Sequence, residues 1–148
     1  MGDKLSPKEI EAANKSAGNW ALIAGILLLV AGLTGVALWT FIATTIKSNL
    51  PAALLPIADY LQYLVFLSSL GGIIVILGGL ALRGNKVGTG KFFIALGAGF
   101  GLIGLILIAI TSIFAISVPI ASAPSLIGFL GLILSIIARM KVKKPEPV

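Results

Sequence analysis

The side chains able to do chemistry in the long apolar runs of this chain are nearly all hydroxyls. Thr34, Thr40, Thr44, Thr45, Ser68, Ser69, Thr111, Ser112, Ser117 and Ser135 are spread over four such runs. A hydroxyl nucleophile needs a neighbouring base. None stands near, since Ala21 to Ile46, Tyr60 to Leu82 and Phe92 to Ala138 contain no Asp, Glu, Lys, Arg or His. The whole chain has no histidine and no cysteine. That removes the commonest general base and metal ligand, together with thiolate chemistry and disulfides. No catalytic, cofactor or metal site is assigned. The hydroxyls are read as packing groups that bond helical carbonyls or bridge helices, at about 0.6–2 kcal/mol each.

The one stretch with the composition of an anion site is the turn around Gly84-Asn85 and Gly88-Thr89-Gly90, with Arg83, Lys86 and Lys91. It lacks the GxxxxGK[ST] spacing that cradles phosphates, and no strand leads into it. A hydrophilic turn between two spans is the reading.

The elements around these residues follow from composition. In 148 residues, 58% are hydrophobic and 11% charged, whereas soluble domains carry roughly a quarter charged residues. An all-α integral membrane protein is predicted, a bundle of four transmembrane helices. Residues 1–19 form a polar N-terminal segment in which Ser6-Pro7-Lys8-Glu9 reads as a capping box starting either a short interfacial helix or a helical extension of span one. The membrane domain is 20–138, with spans near 20–46, 60–82, 92–118 and 120–138. Residues 139–148 form a basic tail. Trp20 and Trp39 are separated by ~28 Å of helix and read as interface anchors of span one. Tyr60 and Tyr63 anchor the entry to span two, where Asp59 is expected to cap the helix. Pro51 and Pro56 break the 47–59 connection, whose apolar middle suggests an interfacial helix or a partner surface.

The cations give orientation. Lys4, Lys8 and Lys15, then Arg83, Lys86 and Lys91, then Arg139, Lys141, Lys143 and Lys144 fall in alternate polar segments, and the other connections hold only Lys47. Both termini are therefore expected in the cytoplasm, in a multi-pass protein of the cell membrane. Arg83, Lys86, Lys91, Arg139, Lys141, Lys143 and Lys144 are expected to meet anionic lipid at about 1 kcal/mol per cation. Nucleic acid is not an expected partner, because the net charge of +6 is distributed by topology.

The glycines recur at sevens: 25/32, 71/78, 72/79 and 97/104, with Gly128 seven before Ser135. A seven-residue seam implies left-handed crossings. Gly25, Gly32, Gly71, Gly78, Gly97, Gly101, Gly104, Gly128 and Gly131 are the expected helix-packing positions. The pair Gly97–Gly101 is a GxxxG, and with Gly104 it is expected to make the tightest contact. Span two carries two small faces, one more than a monomeric bundle is expected to need, which suggests contact with a further chain. Gly18, Trp20, Gly25 and Gly32 also align with Gly90, Phe92, Gly97 and Gly104 at a constant offset of 72, so a parallel duplication of a helical hairpin is considered.

Four short spans resemble the small multidrug transporters, a family that needs an embedded glutamate in its first span. Here that span is apolar apart from Thr and Gly. Claudin-like tetraspans need paired cysteines, which are missing. The expected function is a non-catalytic polytopic protein acting by helix packing, as an accessory or structural subunit of a larger membrane complex or a self-associating scaffold. The alternative is a passive channel or transporter for a small neutral solute, ion or lipid.

Overall fold

A computed structural model of the chain describes residues 5–47, 51–114 and 122–144. Side chains at 34–47, 54, 57–58, 61–62, 64–65, 68, 104–105, 107–114 and 122–125 lie outside that description. The protein is all-α, with four long helices and no strand among the described residues: α1 (Pro7–Lys47), α2 (Leu55–Arg83), α3 (Val87–Phe114) and α4 (Ser122–Lys141). A 3-10 turn, Ala52–Leu54, precedes α2.

The capping box forms. Ser6 N–H donates to Glu9 Oε2 at 2.7 Å, and Glu9 N–H donates to Ser6 Oγ at 3.4 Å. These bonds, the one from the Ser6 backbone first, hold the exposed Glu9 carboxyl below its ordinary range. From there α1 runs 41 residues without a break, or ~62 Å. The interfacial helix expected over 1–19 is thus the first part of one long helix. Gly18 does not interrupt it, because a Cβ there would fall 2.7 Å from the Gly79 carbonyl oxygen. It is a packing glycine and not a breaker.

Two further boundaries differ from expectation. Helix α2 begins at Leu55, with Pro56 as its second residue, where a missing N–H costs nothing. Asp59 therefore lies within α2 and does not cap it. Helix α3 begins at Val87, inside the glycine-rich turn, because Gly88 and Gly90 are simply helical there. The expected end of span three at 115–118 and start of span four at 120–121 lie outside the described residues.

Helix α1 packs on both α2 and α4, and α2 packs on both α1 and α3; α3 and α4 share a much smaller contact. Helix α2 is the centre of the tightest packing. On one side, Cβ atoms added to Gly25 and Gly79 would lie 2.8 Å from Gly72 O and 2.9 Å from Gly18 O. On the other, Cβ atoms at Gly71 and Gly78 would lie 2.6 Å from Gly97 O and 3.0 Å from Gly90 O. Each step of seven up one helix is matched by a step of seven down its neighbour, the mark of antiparallel seams. Both small faces of α2 are therefore filled within the chain, by α1 and by α3. Neither is left for a second subunit.

The same contacts count against the duplication. Two hairpins related by a two-fold axis would place Gly97 against α4, as Gly25 lies against α2. Gly97 instead lies against Gly71 and Val75 of α2.

Among the described residues the interior combines small side chains, Ala17, Ala21, Ala24 and Ala138, with larger ones, Val75, Leu82, Ile94 and Leu132. Among the described side chains of α1, Leu28 is the one large apolar group buried there. Many bulky residues point outward on all four helices: Ile23, Ile26 and Leu33; Phe66, Ile73 and Leu77; Phe92, Leu102 and Ile106; Leu126, Phe129 and Ile136. Among the described residues one helical segment, Pro7–Leu33, is long and apolar enough to cross a membrane. Ser69–Arg83 and Val87–Ile103 are shorter apolar segments.

Candidate functional site

Three polar side chains are buried among the described residues: Asn14, Ser69 and Ser135. The two serines bond their own helices. Ser69 Oγ donates to Phe66 O at 2.6 Å and Ser135 Oγ donates to Gly131 O at 2.8 Å. A hydroxyl bound this way satisfies itself and is not aimed at a substrate. No group of three or more His, Cys, Asp or Glu that could hold a metal occurs among the described residues.

Asn14 differs, because its partners are far away in sequence. Its Nδ2 donates to Asn85 Oδ1 at 3.0 Å, and its Oδ1 accepts from Lys143 N–H at 2.9 Å. It is 1% exposed. One carboxamide thereby joins α1, the α2–α3 turn and the segment after α4. These are the three segments that carry the cations, so the basic residues gather at one end of the bundle.

The turn is built to present Asn85. Helix α2 ends in a Schellman motif: Lys86 N–H donates to Ala81 O at 2.9 Å and Asn85 N–H to Leu82 O at 3.0 Å. Asn85 takes the left-handed position, at φ 59°. Glycine is the usual residue there and asparagine the second choice. Asparagine alone also supplies the acceptor for Asn14.

Around this clamp the predicted cations are arranged on the surface. Arg83, Lys86, Arg139, Lys141, Lys143 and Lys144 are exposed, and Lys91 is half-buried. Two are held by their stems. The Lys141 ammonium sits 5.1 Å from the Trp20 ring centre, a cation–π distance. A Cβ on Gly18 would meet Arg83 Cγ at 2.6 Å, so the Arg83 stem lies across α1. Trp20 is half-buried, whereas Tyr60 and Tyr63 are 71% and 73% exposed toward the other end of α2. The Trp39 side chain lies outside the described residues.

Seven of the nine packing glycines fall into two groups. Gly25, Gly32, Gly71, Gly78 and Gly97 meet another helix at or near its backbone, whereas Gly101 and Gly131 receive Leu28, 3.0 Å and 2.9 Å from their built Cβ positions. Gly128 is buried, and the surroundings of Gly104 lie outside the described residues. The tightest approaches to backbone among the described residues lie on the two faces of α2, at Gly72 against Leu29 N and at Gly97 against Gly71 O. Gly99 has open space around it.

No protein-family profile matches this chain, and no curated protein or solved structure matches it. The clamp is the feature that sequence reasoning missed. Its signal was there: Asn14, Ala21 and Leu28 lie at steps of seven, so an amide occupies the inward heptad of α1.

Proposed function

We propose that this chain is a non-catalytic multi-pass membrane protein whose four helices all cross the bilayer in left-handed packing, and that it acts through its outer surface. The observation that carries this is the layout of side chains: bulky apolar groups face outward on every helix, around an interior of small residues and a few larger ones such as Leu28, Val75, Leu82 and Ile94. In water such an exterior exceeds by far the patches that a soluble monomer exposes. In lipid it is the ordinary arrangement, because small residues let backbones approach where no hydrophobic force draws helices together. The lengths agree: Tyr60 to Arg83 spans ~35 Å of helix, enough for a hydrocarbon core with an aromatic anchor at one interface and a cation at the other. By the positive-inside rule, the clustered cations support a cytoplasmic location for the clamped end and both termini. There they would meet anionic headgroups.

The buried polar side chains among the described residues, Asn14, Ser69 and Ser135, are used in structural hydrogen bonds, in keeping with a role without catalysis. A passive route along the axis draws no support from the described interior, where Leu28 fills the space between Gly101 and Gly131. An accessory subunit or scaffold fits best. Because both small faces of α2 are spent inside the chain, partners would be met by the outer faces. Extraction of the native membrane in mild detergent, followed by cross-linking and native gel analysis, is expected to give a species heavier than the monomer. A monomer with nothing attached would contradict the proposal.

A further inference from the structure

We infer that Asn14 is a latch. It holds the last described residues of the chain as a strap across the basic end, and the strap opens independently of the bundle beneath it. Helix α4 ends at Lys141, and residues 142–144 after it are not helical. Yet Val142 is 5% exposed, Lys143 N–H is bonded to Asn14, and the Lys141 ammonium rests on Trp20. Three successive residues are thus fixed to α1 or packed at its end, each by a different interaction.

The device has two distinct ends. Asn14 has one amide donor used by Asn85 and one acceptor used by Lys143, so the bond to the turn orients the carboxamide for the bond to the strap. The turn itself does not depend on Asn14, since its backbone bonds close it. The glycine seams do not depend on it either, because they lie along the helices from Gly18 and Gly79 onward. A buried polar group whose partners are a turn and a non-helical segment is a place for local opening, which proceeds without global unfolding. When the strap lifts, Lys141 and Lys143 leave the positions they hold relative to Lys86 and Arg83, and the basic face changes shape. The latch therefore sets whether the three cationic segments act as one surface.

Amide exchange of Lys143, read by NMR on the full chain with 15N-lysine in micelles, tests this. The expected result is that Asn14→Leu, which keeps volume but removes both bonds, speeds exchange at Lys143 about tenfold, the loss of roughly one buried hydrogen bond. Asn85→Gly keeps the left-handed turn and removes only the orienting bond. It is expected to raise the Lys143 rate severalfold with helical content and unfolding midpoint unchanged, and it decides the matter if Asn14→Leu does not fold. Equal Lys143 rates in wild type and Asn14→Leu would overturn the latch, as would a wild-type rate in Asn85→Gly. So would acceleration of helix-seam amides together with Lys143 in Asn85→Gly, since the strap would then open only with the bundle.

Discussion

Replacing Gly72 with alanine is expected to destabilise the bundle by about 1–3 kcal/mol, the range for overpacking a tight contact. The same change at Gly99 is expected to cost nothing and to gain up to about 1 kcal/mol from helix propensity. Both are helical glycines in apolar sequence, 27 residues apart, and no propensity scale separates them. The contacts do. A Cβ at Gly72 runs into the Leu29 backbone nitrogen and lies 2.7 Å from Gly25 O, whereas Gly99 has nothing within 4 Å. Backbone cannot rotate aside as a side chain can, so α1 and α2 must separate. That loosens the contacts at Gly18, Gly25 and Gly32 together. Helical circular dichroism during denaturation in mixed micelles reads both effects. Similar midpoints for the two variants would mean that the α1–α2 seam is not what holds these helices.

Truncating Leu28 to alanine is expected to cost about 2–3 kcal/mol, mostly as cavity. In a bilayer the transfer part of the usual penalty is small, because lipid is as apolar as the site. The remaining part is lost contact. Leu28 reaches Gly101 on α3 and Gly131 on α4 from α1, so it fills space where three helices meet. The contact between α3 and α4 is the smallest among neighbouring helices, which makes α4 depend on its hold on α1. The variant should therefore show faster amide exchange in α4 than in α2. Uniform exchange with an unchanged midpoint would show that Leu28 is not the wedge.

What the sequence allowed to be read divides along physical lines. Local signals were legible: Ser6 and Glu9 at capping-box spacing, and the heptads of glycine that mark inward faces. The alternation of cation-rich segments suggested one common side for 83–91 and the two termini, and the Asn14 bonds to Asn85 and Lys143 bring parts of all three segments together. Partner assignment was not legible, because a stripe of small residues does not say which helix it meets. Gly71/Gly78 and Gly72/Gly79 suggested a surplus face, but α2 has two neighbours and needs both. The start of α2 was misplaced for a related reason. Pro56 reads as a breaker in isolation and is harmless as the second residue of a helix. Asn14 was hidden by its setting, an amide in a polar segment that happens to lie on the inward heptad.

The central claim is that four helices cross a bilayer with the latched basic end on one side. The chain has no cysteine, so any single introduced cysteine is a unique probe. Lys86→Cys and Lys144→Cys, in intact cells, are expected to resist a membrane-impermeant maleimide and to react after the cytoplasmic face is opened. Ala53→Cys, in the 3-10 turn before α2, is expected to react in intact cells. Labelling of all three from the same side, or release of the protein from membranes by alkaline carbonate, would contradict the account.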